Sequence, residues 1–235
     1  MKSSAALRLI VSALLILVFT GHAFAAEVLV AAASDLNFPI KEIISQFEQK
    51  TGNTVKLTLG SSGSFQAHIA NGAPFDVYLS ADVDYVRQLE RAGLIEPGSL
   101  YVYAVGRLVI WVPNASPIDI QKLGMDSLLQ PSAKRIAIAN PAVAPYGRAA
   151  VAALRHFSLY DRVSSRLVLG ENIAQTAQFV SSGAADIGII AHSAASADPM
   201  RSSGRYWEIP ADAYPRLDQG MAILQQPPRC GPRVL

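Results

Sequence analysis

The sequence predicts an α/β fold of two lobes joined by a β hinge, with a cleft between them. Three observations carry this. Strand-like runs alternate with amphipathic helical patterns along the chain, which builds parallel sheets flanked by helices. In the first half, two successive strand patterns each end in a serine-bearing turn that opens a helix, at Ser34 and at Ser62. A β-rich run over residues 101–112 is long enough to leave one lobe and enter another, and a late strand near Leu217 crosses back. The expected division is residues 1–25 as an export signal, 26–104 as the first segment of lobe 1, 105–214 as lobe 2, and 215–235 as a return to lobe 1 with an atypical tail.

The elements follow in order. Lys2 and Arg8 precede an apolar run over residues 9–19, and Ala23-Phe24-Ala25 is a small-x-small cleavage site. That pattern is a secretory signal cut after Ala25, and the run is short for a membrane anchor. Residues 27–33 read as a buried strand. Ser34-Asp35-Leu36-Asn37 turns into a helix with Pro39 in its first turn, an apolar stripe of Ile40, Ile43, Ile44 and Phe47, and a stop at Thr51-Gly52. Residues 54–59 are a second strand, and Gly60-Ser61-Ser62-Gly63-Ser64 leads into a second helix, with Ser62 or Ser64 able to cap it. A third strand covers 75–80, and Asp82 or Asp84 caps the next helix. In the second half, strands at 135–139, 166–169 and 185–191 alternate with helices at 148–157 and after Gly170-Glu171-Asn172. Late strands follow at 206–210 and 220–224.

Composition narrows the function. Twenty Lys and Arg stand against 18 Asp and Glu, and loss of Lys2 and Arg8 leaves the balance near zero. No basic run interleaved with aromatics speaks for nucleic acid. The single cysteine, Cys230, makes no internal disulfide. An exported chain without disulfides fits a periplasm-like space. Gly60-Ser61-Ser62-Gly63-Ser64 is not a serine-nucleophile elbow, because Ser64 replaces the last glycine. No Gly-Lys-Ser/Thr triplet forms a P-loop. His68, His156 and His192 are widely spaced, and a metal site needs clustered ligands. His68 and His156 fall inside helices. His192, at a strand exit, is the one histidine near a cleft, and an exported hydrolase using it with a serine is the enzymatic alternative.

What remains is a set of neutral donors. Ser34 and Ser62 stand at strand ends in the first lobe, Tyr146 in the loop 140–147, and Ile173 in the first turn of a helix, where it offers its backbone N–H. Hydroxyls and N–H groups at helix starts suit an anion without a formal positive charge. The competing explanations are a flexible Gly/Ser loop at Ser62 and a surface-packing aromatic at Tyr146.

Six motifs then stand in register: Ala31-Ala32-Ala33-Ser34; Gly60-Ser61-Ser62-Gly63-Ser64; Asn71-Gly72-Ala73-Pro74-Phe75-Asp76-Val77 with Ser80-Ala81-Asp82; Pro145-Tyr146-Gly147-Arg148-Ala149-Ala150; Gly170-Glu171-Asn172-Ile173-Ala174-Gln175; and Gly183-Ala184-Ala185-Asp186-Ile187-Gly188. In this set the chain resembles the periplasmic molybdate-binding proteins of ABC importers, from about Val28 to Leu224. The resemblance implies a two-lobe periplasmic binding protein fold of type II, each lobe a mixed sheet flanked by helices. It implies capture of molybdate or tungstate by a periplasmic monomer, with no cofactor, and delivery to a membrane permease driven by a cytoplasmic ATPase. By position, the oxyanion contacts fall on Ser34 (hydroxyl and N–H), Asp35 (N–H), Ser62 (hydroxyl and N–H), Tyr146 (N–H) and Ile173 (N–H). Molybdenum is then held through its oxygens, with no direct protein ligand to the metal.

The chain departs from the family in three places. Ala191 stands where some members carry a tyrosine hydroxyl. Asp35 puts a carboxylate beside the expected pocket; it is expected to turn away and cap its own helix, and facing inward it would suit a protonated phosphate. The segment 225–235 carries three prolines and a glycine where members continue into a final helix. Sulfate or phosphate remains the alternative ligand, and a sensor or adaptor role the alternative to transport.

Overall fold

The structure, a computed structural model, describes residues 25–225. The expected signal, apart from Ala25, and all but the first residue of the atypical tail lie outside the described residues.

Ten strands form two five-stranded sheets. The first contains β1 (Glu27–Ala33), β2 (Thr54–Gly60), β3 (Val77–Ser80), β4 (Tyr101–Gly106) and β10 (Leu217–Ile223), in the order β2-β1-β3-β10-β4. The second contains β5 (Leu108–Pro113), β6 (Ile136–Ala139), β7 (Leu167–Gly170), β8 (Ile187–Ala191) and β9 (Gly204–Glu208), in the order β7-β6-β8-β5-β9. The two are built alike. In each, three strands are mutually parallel and a fourth, β10 or β5, joins them antiparallel. Only Arg107 separates the end of β4 in one sheet from the start of β5 in the other, so the β-rich run over 101–112 is two strands in two sheets.

Long helices connect the parallel strands: α1 (Pro39–Thr51), α2 (Ser62–Ala70), α3 (Val83–Arg91), α4 (Pro145–His156) and α5 (Ile173–Ser181). Asp82 caps α3 by accepting the N–H of Asp84 at 2.9 Å. Asn172 caps α5 by accepting the N–H of Gln175 at 3.0 Å. The cap of α2 is Ser61, one residue before those expected. Helix α4 begins at Pro145, three residues early, because proline is preorganised for the first helical position and its missing N–H costs nothing there.

The second sheet is buried on both faces, which its uninterrupted apolar strands require. Leu108, Ile110 and Val112 of β5 point into one core with Ala149, Ala150, Ala153 and Leu154 of α4. Val109 and Trp111 point into the other with Ala177 and Val180 of α5. In the first sheet, Ala31, Tyr78 and Ala222 pack against Phe65 and Ile69 of α2 and Val86 and Leu89 of α3. The opposite face is thinner. There Ile40 buries against Val30 and Ala32, with Ile44 partly covered. Ile43 is 62 % exposed and Phe47 38 %, so the expected stripe of α1 is only half used. The helix leans on the sheet along the Ile40–Ile44 line, and Ile43 and Phe47 lie off that contact.

This topology places the site. Loops leave an open α/β sheet at the carboxyl ends of its parallel strands, where ligands bind. Here β1 and β2 deliver Ser34 and Ser62, while β6 and β7 lead toward Tyr146 and Ile173.

Candidate functional site

The five singled-out residues sit at element starts and are almost fully buried, at 1–5 % exposure. Ser34 and Asp35 form a 3₁₀ turn directly after β1. Ser62 opens α2, Tyr146 is the second residue of α4, and Ile173 opens α5. Hydrogen bonds across the two sheets bring these starts together. The Ser34 hydroxyl donates to Asn172 Oδ1 at 3.1 Å and accepts the Ala174 N–H at 3.3 Å, flanking Ile173 on both sides. The Ser61 hydroxyl donates to the Glu171 carbonyl at 2.6 Å. The Gly63 N–H donates to the Val143 carbonyl at 3.0 Å. The Tyr146 hydroxyl donates to Asp35 Oδ2 at 3.2 Å.

The decisive accounting concerns backbone donors. The first N–H groups of a helix have no partner inside it, and buried ones must find another. In α5 the Ala174 N–H goes to Ser34 and that of Gln175 to Asn172, which leaves Ile173. In α4 Pro145 has no N–H and Gly147 donates to the Ala144 carbonyl, which leaves Tyr146. In α2 Gly63 and Phe65 donate to Val143 and Ser61, and Ser62 and Ser64 are left, of which Ser62 is the buried one. Among the described residues, then, the N–H groups of Ser62, Tyr146 and Ile173 have no protein acceptor. The Ser62 hydroxyl accepts the Ala81 N–H at 2.9 Å and keeps its own proton to donate. Three helix starts from two lobes therefore present unmatched donors in a buried region, an arrangement suited to a small anion. A cleft of about 520 Å³ adjoins this region, lined in part by Ser34, Asp35, Asn172, Ile173, Phe38 and Met200, while Ser62 and Tyr146 lie outside its lining.

Among the described residues no Lys or Arg lines the cleft. Arg148 stands at the margin, where it holds the lobes together through Asp82 at 2.6 Å and the Tyr85 hydroxyl at 2.8 Å. Among the described residues no three His, Cys, Asp or Glu side chains gather to hold a metal ion.

Asp35 differs from expectation. Its side chain caps no helix. It is buried, and Oδ2 receives Gln219 Nε2 at 2.6 Å as well as the Tyr146 hydroxyl. Gln219 also donates to the Tyr146 oxygen at 2.9 Å. Loss of water raises the Asp35 pKa to about 6, against the partial relief of the Gln219, Tyr146 and own backbone hydrogen bonds. Burial likewise pushes Tyr146 and Tyr103 above the ordinary phenol range. The cluster fits only because residue 106 is glycine: a Cβ there would lie 2.6 Å from the Tyr146 hydroxyl. Sequence reasoning missed Gln219, Ser61 and Asn172. The signal for Gln219 is a polar residue at a buried position of β10, 3 % exposed between Leu217 and Ala222.

His192 leads the short helix His192–Ala195 and meets Tyr206 edge-on at 5.2 Å. Ser196 Oγ lies 3.1 Å from its Nδ1 but also donates to the His192 carbonyl at 2.8 Å. Burial and Arg107 push the imidazole pKa down. Neither His192 nor Ser196 belongs to the cluster of unmatched donors, and the pair has no hydrogen-bonded carboxylate to orient it. His68 and His156 lie in α2 and α4 as expected.

Residues 28–229 match the bacterial extracellular solute-binding protein family. The chain is 42 % identical over 201 residues to the molybdate-binding protein ModA of Azotobacter vinelandii, spanning 85 % of this chain and 78 % of that protein. It is 36 % identical over 203 residues to ModA of Rhodobacter capsulatus, spanning 86 % and 78 %. The fold superposes on the solved periplasmic molybdate-binding protein of Azotobacter vinelandii with a TM-score of 0.78 and 33 % identity, covering 84 % of this chain and 85 % of that one. These relatives are solute-binding proteins rather than enzymes. With its two mixed five-stranded sheets and a donor-lined cleft between them, the chain belongs to the bacterial extracellular solute-binding protein family, and within it to the group of the molybdate-binding proteins.

Proposed function

We propose that the protein captures molybdate, and its congener tungstate, in the periplasm and delivers it as a monomer to the permease of an ABC importer driven by a cytoplasmic ATPase. The observation that supports this is the set of buried, unmatched N–H groups of Ser62, Tyr146 and Ile173 at three helix starts. They are joined by the Ser62 hydroxyl and the N–H groups of Ser34 and Asp35, and by the Ser34 hydroxyl once its proton turns from Asn172 Oδ1 to the ligand. A tetrahedral dianion needs donors on every side and no acceptor, and helix starts provide them without a formal positive charge. The protein touches the ligand's oxygens only, so molybdenum has no protein ligand. Sulfate offers the same charge and the same lack of protons, so selection between the two rests on pocket size. Ala191, buried at the end of β8, supplies no hydroxyl, and the site works with backbone donors in its place.

Calorimetric titration with molybdate, tungstate, sulfate and phosphate tests this. Tight one-to-one binding of molybdate and tungstate, with sulfate and phosphate weaker by orders of magnitude, is expected. Preference for sulfate or phosphate would overturn the assignment of ligand.

A further inference from the structure

A site that holds an anion with neutral donors has no need of a carboxylate, yet Asp35 is buried within it at 3 % exposure. Both side-chain donors that reach it converge on Oδ2. Oδ1 is buried with no hydrogen-bond partner. No ion pair among the described residues includes Asp35. The side chains that reach it are neutral; α5, which packs on the same turn, carries no charged residue, and on the short helix His192–Ala195 the one titratable group is His192. Tyr146 comes from α4, Gln219 from β10 and Tyr103 from β4, and Ser193 donates its hydroxyl to the Asp35 carbonyl at 2.8 Å. The remaining contact is its own backbone N–H, which lies close enough to favour the carboxylate. That N–H is one of the donors assigned above to the oxyanion.

Two consequences follow. With Oδ2 accepting two hydrogen bonds, a proton on this carboxyl resides on Oδ1. And a dianion accepting the Asp35 N–H would lie against the Asp35 carboxylate in a dry cleft, where two like charges do not both persist. We propose that Asp35 makes anion capture proton-linked, so that the loaded site holds the dianion together with a neutral Asp35 carboxyl whose proton is taken from solvent. The inference rests on the functional reading above and deepens it. The balance is simple: one carboxylate, one proton and one dianion enter the complex, and nothing is oxidised or released. Burial, net of the hydrogen bonds that oppose it, already moves the Asp35 pKa to about 6, so near pH 7.5 the free site is mostly ionised and has room for almost one proton.

The experiment is titration of the purified protein with sodium molybdate at pH 7.5 in two buffers of different ionisation enthalpy. The difference in heat gives the protons exchanged. Uptake of close to one proton per molybdate is expected, with affinity falling about tenfold per pH unit from pH 7 to 9. Asp35→Asn should bind with no proton exchange and a flat pH profile, whereas His192→Gln, which removes the imidazole next to Ser193, the donor to the Asp35 carbonyl, should leave the proton count as it is. Molybdate binding with no proton uptake by the unaltered protein would overturn the inference and leave the functional reading standing. So would loss of the uptake in His192→Gln alone. Absence of molybdate binding at every pH would refute the functional reading, and this inference with it. Hydrogenphosphate bound at pH 7.5 without proton exchange would show Oδ1 to be an acceptor and overturn the protonated form.

Discussion

Gly63 joins the lobes through a backbone hydrogen bond, and Gly63→Ala tests whether that approach governs binding. Its N–H donates across the cleft to the Val143 carbonyl at 3.0 Å. A Cβ at residue 63 would stand 2.8 Å from that same carbonyl oxygen and 2.7 Å from the Tyr85 hydroxyl. The tyrosine can swing aside, at the cost of its bond from Arg148. The carbonyl belongs to the backbone leading into α4 and cannot. It must retreat by about half an ångström to reach ordinary contact, and the lobes part by that amount. Overpacking of this kind costs about 1–3 kcal/mol. Because the Val143 contact exists only while the lobes meet, whereas Tyr85 shares a lobe with Gly63 and turns away in either state, this cost falls on the bound, closed state and appears as a rise in Kd of roughly 5- to 150-fold. The open protein should not suffer. Residue 63 lies in the first turn of α2, where alanine is a better helix former than glycine by up to about 1 kcal/mol. The expected pair of results is weaker molybdate binding by calorimetry with an unchanged or higher melting temperature without ligand. Small-angle scattering should also show less compaction at saturating molybdate than in the parent. Equal affinity and equal compaction in the two proteins would refute the argument that closure is limited at Gly63.

Two further outcomes follow from the same geometry. Ser62→Ala removes a hydroxyl that the proposed function assigns to the oxyanion and should weaken binding by about 1–3 kcal/mol, the cost of a lost hydrogen bond to a charged group; unchanged affinity would take Ser62 out of the site. For Asp35, the folded pKa of about 6 against 3.8 means that the folded form binds the proton more tightly. Its contribution to stability is therefore full below pH 4 and is lost as pH rises through 6, by about 3 kcal/mol in all. Without ligand, the melting temperature of Asp35→Asn should gain on that of the unaltered protein between pH 4 and 7 by up to about 6–12 °C, the full figure applying while the Tyr146–Asp35 contact is closed. Parallel profiles would show that the carboxyl is not desolvated.

Much of the fold was legible because its signals are local. The Ser34 and Ser62 turns, Pro39 at a helix start, and the alternation of strand and helix each rest on a few neighbouring residues, whereas Pro145, read as part of a loop, opens α4. The sheet partners are different. That β10 inserts between β3 and β4 depends on a pairing more than a hundred residues apart, and only the expected return of the chain near Leu217 hinted at it. The half-exposed stripe of α1 shows the limit of periodicity. Ile40, Ile43, Ile44 and Phe47 define an apolar face, but how much of it is covered is decided by what packs there, and the first sheet reaches only Ile40 and Ile44.

The site divides along the same line. Ser34, Ser62 and Ile173 were readable as donors because a helix start leaves N–H groups free whatever surrounds it. Tyr146 was readable as a position but not as a role. Its N–H follows from Pro145, whereas its hydroxyl, bound to Asp35 and Gln219, depends on three segments meeting. Asp35 was the hardest, since an aspartate after a strand is usually a cap on the surface. Two things bury it here: the antiparallel return of β10, which brings Gln219 beneath it, and the absence of a side chain at Gly106, which leaves room for the cluster. Both lie at the crossing between the lobes. The carboxyl therefore sits where relative movement of the two sheets would change its surroundings most, because Tyr146 travels with one lobe while Gln219 travels with the other. Opening the cleft would separate the Tyr146 hydroxyl from Oδ2 and admit water, returning Asp35 toward its ordinary pKa. Closing it restores the dry cluster. The charge state of this one residue and the position of the lobes are thus coupled through the same two hydrogen bonds, and any anion bound beside the Asp35 N–H acts on both.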